Sequence, residues 1–180
     1  MRKVSKNELK QALSVLRNQG VLVFPTETSY GIGCDARSDR AMRCLQKIKE
    51  RAKGKTPPLL VSSFAMAERY GVFTPMLRKL AKKYWPGALT IVVKARMSPF
   101  SRGTDLAKLN RGGYRLSKEV IRDDGTIALR YTSHPIAQSL ARRLGTPIVA
   151  TSANKFGKPA CYSIKEVENA FAQGLVPDFI

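Results

Sequence analysis

Residues 21–33 of the chain read VLVFPTETSYGIG, and this stretch decides the fold. The apolar run 21–24 ends at Pro25, which predicts a short buried strand. The polar, glycine-bearing residues 25–33 then predict a loop that leaves the end of that strand. Because ligands of α/β proteins bind at the ends of strands, this loop is the first candidate for a functional segment.

Helix and strand patterns alternate outward from this stretch in both directions, which predicts an α/β fold. A helix over residues 6–19 precedes it, opened by a capping box of Ser5 and Glu8 and closed by Gly20. Further helices are predicted at four points: after Ser38, at Pro75, at Pro135, and after a second capping box formed by Ser163 and Glu166. Further strands are predicted over residues 59–61, 90–93, 126–131 and 147–151.

The composition is that of a single globular domain. The 180 residues are 43% hydrophobic and 25% charged, which is enough to bury a core without disulfides or a structural metal. The three cysteines include no C-x-x-C pair, which predicts reduced thiols. Since no apolar run is long enough for a signal peptide or a membrane span, we expect a cytoplasmic protein without a membrane partner.

Positive charge dominates the composition. The chain has 32 Lys and Arg against 13 Asp and Glu, a formal net charge of +19, and 12 of the basic residues lie between Arg78 and Arg122. This excess favours a polyanionic partner, either a nucleic acid or a phosphorylated small molecule, although a generally basic proteome would also produce it. Residues 98–125 are too long for an ordinary connection and predict either a functional loop or a strand-bearing insertion.

A second group of cations follows the helix that begins after Ser38. Lys49, Arg51, Lys53 and Lys55 lie within seven residues and repel one another unless an anion is near. They fit a triphosphate-binding segment and equally the exposed C-terminal end of a helix, so both interpretations stay open. Residues 54–56 read Gly-Lys-Thr, but the first glycine of a P-loop and its preceding strand are missing, so no P-loop is predicted.

The remaining polar residues favour binding over acid–base chemistry. His134, the only histidine, precedes a proline at a helix start, which predicts a helix-capping or surface role. It has no sequence partners for a triad or a zinc site, and Glu27, the sole acid of residues 25–33, has no neighbouring carboxylate. Residues 151–154, Thr-Ser-Ala-Asn, follow a strand and are expected at a sheet edge, unless Ser152 caps a helix. A cleft of hydroxyls and cations suits phosphate binding.

Five segments in this order resemble the motifs of the YrdC-like threonylcarbamoyl-AMP synthases. They lie at residues 24–36, 49–51, 85–90, 127–130 together with 134–135, and 152–154. The resemblance implies a twisted open mixed sheet with flanking helices around a positively charged cavity. It also implies one YrdC-like domain over residues 1–180, which ends before the C-terminal segment usual in the family.

The resemblance implies an enzyme that makes threonylcarbamoyl-adenylate and pyrophosphate from ATP, L-threonine and bicarbonate, for the threonylcarbamoyladenosine modification of tRNA. Mg²⁺ is expected to accompany ATP and to be held mainly by the phosphates, with no protein ligand for the metal. Further implied partners are tRNA or double-stranded RNA and the downstream tRNA threonylcarbamoyl-transfer proteins.

The resemblance also assigns roles to residues by their position in the motifs. Lys49 and Arg51 are the implied catalytic residues. The implied nucleotide-binding residues are Lys49, Arg51, Lys55, Thr126, Ser152 and Asn154. The implied threonine-binding residues are Thr28, Tyr30 and Arg130.

Two other functions remain open at this point. The first is a catalytically impaired module that binds double-stranded RNA or tRNA, which the net charge of +19 would favour. The second is one domain of a larger carbamoyl-transfer protein, such as those that mature hydrogenases. The absence of zinc-finger-like and acylphosphatase-like segments in the 180 residues argues against the second.

Overall fold

The computed structural model describes residues 5–50, 56–96 and 115–180. Six α-helices lie in these ranges: α1 Lys6–Arg17, α2 Asp39–Ile48, α3 Phe64–Tyr70, α4 Pro75–Tyr84, α5 Pro135–Leu144 and α6 Ile164–Ala170. The strands in the same ranges are β1 Leu22–Pro25, β2 Tyr30–Gly33, β3 Leu59–Val61, β4 Gly71–Val72, β5 Ile91–Ala95, β6 Thr126–Tyr131, β7 Ile148–Val149 and β8 Thr151–Ser152. None of the described helices is long and apolar enough to cross a membrane.

A five-stranded sheet has the order β4-β5-β6-β3-β7. Strands β3 and β6 pair in parallel, with Leu60 opposite Arg130, and the other pairs are antiparallel. This mixed sheet with helices packed against it confirms the predicted α/β class. The parallel pair brings the carboxyl ends of two strands together, beside residues 130–134.

A second sheet, of order β1-β2-β8, was not predicted. Residues 25–33 were predicted as one loop, but only 26–29 form a turn, and β2 returns antiparallel to β1 with Pro25 opposite Tyr30. The segment predicted as one strand over 147–151 divides between the sheets, into β7 and β8. Gly33 explains the close approach of the two sheets, because a Cβ built there would lie 1.6 Å from the carbonyl oxygen of Val149.

The core has two clusters, one on each side of the five-stranded sheet. Leu59 and Val61 of β3 point into the cluster shared with α2, α3 and α6, whereas Leu60 points into the cluster beneath α1 and α5. In β6, Ile127 and Leu129 belong to the first cluster. Each large side chain that is fully buried here contributes about 1.5–3 kcal/mol to stability.

The helix starts agree with the predicted caps except at α5, where His134 makes no capping hydrogen bond, and at α6. Ser5 and Glu8 form the predicted capping box, whose two hydrogen bonds measure 3.1 and 2.7 Å. Ser163 caps α6, but the carboxylate of Glu166 accepts from the backbone N–H of Tyr162 at 2.7 Å rather than from the cap residue. Helix α1 ends at Arg17, before the predicted residue 19, because Gln19 adopts a positive φ of 62°.

The C-terminal residues close the open edge of β1. The backbone N–H of Val23 donates to the carbonyl of Phe179 at 2.8 Å, and the N–H of Asp178 donates to the carbonyl of Val21 at 2.8 Å. The carboxylate of Asp178 accepts from the N–H of Val21 at 2.7 Å. Strand β1 is therefore paired on both sides along part of its length.

The prediction for the basic segment 98–125 falls largely outside the described residues. Its described end, 115–125, contains a single 3-10 turn over Lys118–Val120, in which Val120 is buried. Helix α3 and strand β4, which no sequence pattern predicted, connect β3 to α4.

Candidate functional site

The turn between β1 and β2 is held by one threonine hydroxyl. The Oγ1 of Thr26 donates to the carbonyl of Ser29 at 2.6 Å and accepts from the N–H groups of Thr28 and Ser29 at 3.2 and 3.3 Å. The backbone N–H of Thr26 donates to the same Ser29 carbonyl at 3.2 Å, so the side chain adds to the backbone hydrogen bond of the turn. It fixes Glu27 and Thr28 at the tip of the turn.

Arg130, at the end of β6, joins this turn to the five-stranded sheet. Its Nε donates to Glu27 Oε1 at 3.0 Å and its Nη2 donates to the Thr28 hydroxyl at 3.1 Å. The other oxygen of Glu27 accepts from the hydroxyl of Thr132 at 2.6 Å. Arg130 and Glu27 are largely buried, with 14% and 15% of their side-chain surfaces exposed.

The charge state of Glu27 follows from these contacts. Burial alone would raise the pKa of its carboxyl group, but the hydrogen bond from Thr132, a backbone hydrogen bond and the charge of Arg130 together lower the pKa below its ordinary value. Glu27 is therefore ionised at neutral pH. The ion pair fixes Arg130 beside the turn.

His134 lies next to this pair but does not have the predicted role. It is the N-cap residue of α5 by position, yet its side chain makes no capping hydrogen bond and it is buried. Neither ring nitrogen has a hydrogen-bond partner among the described residues. Burial lowers the pKa of the imidazole and the nearby Glu27 opposes this only in part, so the ring is neutral. The prediction of a capping or surface histidine was wrong.

Lys49 organises a second group of polar residues. It follows the last residue of α2, is only 4% exposed, and its Nζ donates to the carbonyls of Ser152 and Asn154 at 2.5 and 2.7 Å and to Asn154 Oδ1 at 3.3 Å. An ammonium group has three protons, and these three oxygens match them. Lys49 thus holds the backbone of residues 152–154 against the end of α2.

Ser152 and Asn154 are also bonded to each other. The hydroxyl of Ser152 lies 2.5 Å from Asn154 Oδ1, and the amide nitrogen of Asn154 donates to the carbonyl of Lys158. Ser152 lies in β8, at the edge of the three-stranded sheet, so the sheet-edge prediction was right and the helix-cap alternative was not.

Strand β2 connects the two groups. Gly31 pairs with Ser152, and the carbonyl of Tyr30 accepts from the N–H of Ala153 at 2.9 Å. Thr28 is three residues before Gly31, a span of at most about 10 Å in extended chain. The structure therefore places the Thr28 and Arg130 group and the Lys49 and Ser152 group along one hairpin.

The structure does not bring Thr126 to this place. Its hydroxyl donates to Asp124 Oδ1 at 2.6 Å and its N–H donates to the same oxygen at 2.9 Å. Thr126 begins β6 and Arg130 lies near its end, about 13 Å further along the strand. Arg51 and Lys55 lie outside the described residues.

Sequence reasoning missed two interactions of this region. Glu27 was noted only as an isolated acid, because its partner Arg130 lies 103 residues away. Lys155 forms an ion pair of 2.6 Å with Glu50, which adds to the contact between α2 and the segment after β8. A single acid in an otherwise uncharged turn was the available signal for Glu27.

No group of three His, Cys, Asp or Glu within the described ranges could hold a metal ion.

Comparison with known sequences gives a consistent result. A family model for Sua5, YciO and YrdC proteins, described as "Telomere recombination", matches residues 14–176. The chain is 30% identical over 171 residues to a threonylcarbamoyl-AMP synthase of Psychromonas ingrahamii, covering 93% of this chain and 81% of the relative. It is 37% identical over 143 residues to the enzyme of that name from Thiobacillus denitrificans, covering 79% and 67%.

Solved structures show the same fold. Sua5 of P. abyssi, complexed with L-threonine, superposes with a TM-score of 0.80 at 27% identity over 94% of this chain. The chain spans about half the length of that protein, 45% of it. YciO of E. coli has a TM-score of 0.78 at 23% identity, over 99% of this chain and 78% of its own. With the family model matching most of the residues, the chain belongs to the Sua5/YciO/YrdC family.

Proposed function

We propose that this protein is a threonylcarbamoyl-AMP synthase, which forms threonylcarbamoyl-adenylate and pyrophosphate from ATP, L-threonine and bicarbonate in the cytoplasm. The observation that carries the proposal is the placement of Lys49, Ser152 and Asn154 along the same hairpin as Thr28 and Arg130. The curated relatives bear the name of this activity, which supports an enzyme over an RNA-binding module.

The reaction mainly requires alignment and charge neutralisation. The threonine amine combines with bicarbonate to give a carbamate and water. A carbamate oxygen then attacks the α-phosphorus of ATP as pyrophosphate leaves. Negative charge spreads over the phosphate oxygens during that step, so fixed donors and cations lower its barrier.

We assign the nucleotide side to residues 152–154 and the end of α2. Lys49 has its three protons on protein oxygens, so it acts by holding Ser152 and Asn154 in place and by adding positive charge beneath them. Arg51 and Lys55, close to Lys49 in sequence, remain the proposed direct phosphate ligands. Thr126 lies at the other end of β6 from Arg130, so it is not part of the threonine side, and its assignment to the nucleotide stays a prediction.

We assign the threonine side to the hairpin tip. Arg130 has five N–H donors, and its bonds to Glu27 and Thr28 leave others for a substrate carboxylate. Thr28 adds a hydroxyl at the same place and Tyr30 follows it on β2. Mg²⁺ is proposed to accompany ATP and to be held mainly by the phosphate oxygens and water. Partner proteins are proposed to transfer the threonylcarbamoyl group of the product to tRNA.

The test is a synthase assay with labelled bicarbonate. Protein incubated with ATP, L-threonine, bicarbonate and Mg²⁺ should release pyrophosphate only when threonine is present, and mass spectrometry should detect the labelled adenylate. Failure to form a threonine-dependent product would refute the enzyme function.

Variants locate the activity within the protein. Arg130→Gln should lower kcat/KM for threonine by a factor on the order of 100, the loss typical of removing a fixed donor to a charged group. Arg40, an exposed arginine on α2, gives the matched control Arg40→Gln, which should retain activity. Equal activity of the two variants would remove Arg130 from the proposed site.

A further inference from the structure

A cavity of about 400 Å³ lies between α3, α4 and the end of β6. Its lining residues are Phe64, Arg78, Ala81, Lys82, Trp85 and Tyr131. Ligand sites for small molecules begin at about 300 Å³, so the cavity is large enough for one nucleotide-sized ligand.

The walls of the cavity are aromatic. Trp85 contacts Phe64 and Tyr131 edge to face, with ring centroids 6.3 and 6.5 Å apart, and Phe73 packs behind them at 5.9 Å from Trp85. The indole N–H of Trp85 donates to the carbonyl of Leu89 at 2.7 Å, and the N–H of Gly87 donates to the carbonyl of Tyr131 at 2.8 Å. These bonds fix the rings, so a planar ligand would meet preformed walls.

Among the described residues, the charged groups that line the cavity are positive. The guanidinium of Arg78 lies 5.8 Å from the centre of the Phe64 ring and pairs with Glu68, and Lys82 is exposed one turn further along α4. None of the six lining residues is acidic. Arginine and lysine beside aromatic rings complement a ligand that joins an aromatic ring to an anion.

The cavity is separate from the hairpin site. Successive side chains of a strand point to opposite faces, and in β6 Arg130 reaches the β1–β2 turn while Tyr131 packs with the cluster that contains Ile127 and Leu129. The cavity therefore opens on the other face of the five-stranded sheet from Arg130.

We propose that this cavity is a second nucleotide site, in which an aromatic base packs against Trp85, Phe64 and Tyr131 and its phosphate contacts Lys82 and Arg78. Aromatic walls favour a base over a sugar or an aliphatic acid, because every base has a π face that stacks on aromatic side chains. The guanidinium and ammonium groups favour a phosphate as the anion. The ligand is a nucleoside monophosphate, either free or as an unpaired residue of RNA.

Trp85 is the only tryptophan of the chain, so its fluorescence reports on this cavity directly. AMP, UMP and a short single-stranded oligoribonucleotide should each quench it saturably, whereas ribose 5-phosphate, which lacks a base, should not. Quenching by the oligoribonucleotide at much lower concentration identifies RNA as the source of the nucleotide, and equal affinity identifies the free nucleotide. No saturable quenching by any nucleotide, or equal quenching by ribose 5-phosphate, would overturn the proposal.

Matched variants on one helix separate the site from general charge attraction. Lys82→Glu should weaken binding about tenfold or more, whereas Lys79→Glu, an exposed lysine of α4 outside the lining, should change it much less. Phe64→Leu should weaken binding by a similar factor through loss of stacking, with circular dichroism to verify folding. Equal losses for the two lysine variants would contradict the proposal.

A variant of the hairpin site separates this proposal from the synthase. Ser152→Ala should leave the quenching by AMP unchanged, because Ser152 belongs to the proposed nucleotide side of the hairpin site and does not line this cavity. Loss of quenching in this variant would assign the ligand to the hairpin site and refute the second site. The outcome does not depend on whether the synthase assay succeeds.

Discussion

Lys49 shows how a buried charge can organise a site without facing solvent. Its ammonium group is surrounded by three oxygens of residues 152–154, which therefore follow the end of α2. Sequence reasoning joined Lys49, Ser152 and Asn154 through a family resemblance, but it assigned Lys49 to the nucleotide directly. The contact with the protein backbone could not be predicted, because it depends on how β8 packs against α2.

Replacing Lys49 with Met should test this organising role. The change keeps the length of the side chain but leaves the carbonyls of Ser152 and Asn154 without their donor, at a cost of about 1–3 kcal/mol in the free energy of unfolding. Urea denaturation of Lys49→Met and of Lys47→Met, an exposed neighbour, measures the difference. Equal unfolding free energies in the two variants would show that Lys49 does not hold this segment.

Glu27 should give the protein a specific dependence on pH. The pKa of its carboxyl group is lowered in the folded state from 4.5, so the ionised form stabilises the fold at higher pH. This contribution is complete above pH 4.5, declines as the pH falls through 4.5, and is absent below the lowered pKa.

Comparison with Glu27→Gln measures this contribution. The variant should be less stable than the native protein at pH 7, and the difference should shrink as the pH falls below 4.5. Glu168→Gln, an exposed position on α6, is the control. A stability difference that grows toward acid pH would have the wrong sign for an ionised Glu27.

Among the elements, helices were easier to predict than the second sheet. Ser5, Ser38 and Thr74 cap helices that begin where the sequence indicates, because capping depends on residues only three apart. Strand β2 reads Tyr-Gly-Ile-Gly, which resembles a loop since glycine has low strand propensity. Only the pairing with β1 and the contact with Val149 explain why glycines occur there.

A methyl group at Gly33 should test the approach of the two sheets. Its Cβ would collide with the backbone of Val149, so Gly33→Ala should cost about 3 kcal/mol or more in the free energy of unfolding. Gly157→Ala is the comparison, because Gly157 has open space around it and a φ of +76°, which carries only a backbone penalty of about 1–2 kcal/mol. A smaller loss at Gly33 than at Gly157 would contradict the close contact.

At the scale of the whole molecule, the net charge of +19 predicts self-repulsion in the folded state. Salt shortens the range of charge interactions from about 30 Å at 0.01 M to about 10 Å at 0.1 M. The melting temperature should therefore rise when sodium chloride is added over this range at pH 7. A fall in melting temperature would show that favourable ion pairs outweigh the repulsion.

The whole-molecule architecture was predictable in class but not in detail. The alternation of patterns predicted an α/β protein, which the mixed sheet confirms, whereas the single domain predicted from length and composition stays a prediction. The division of residues 147–151 between two sheets could not be predicted, because each half is too short to show a period. The position of Thr126 away from Arg130 follows from strand length and was recoverable from the predicted strand 126–131.

The pairing of Val21 with Asp178 has a consequence for synthesis in the cell. The two residues are 157 positions apart, so a ribosome must add all of the intervening residues before this contact can form. Until then the outer side of β1 is an exposed edge, the kind of surface on which nascent chains associate wrongly. The hairpin that carries Thr28 therefore gains its outer neighbour only after residues 178–179 have been synthesised.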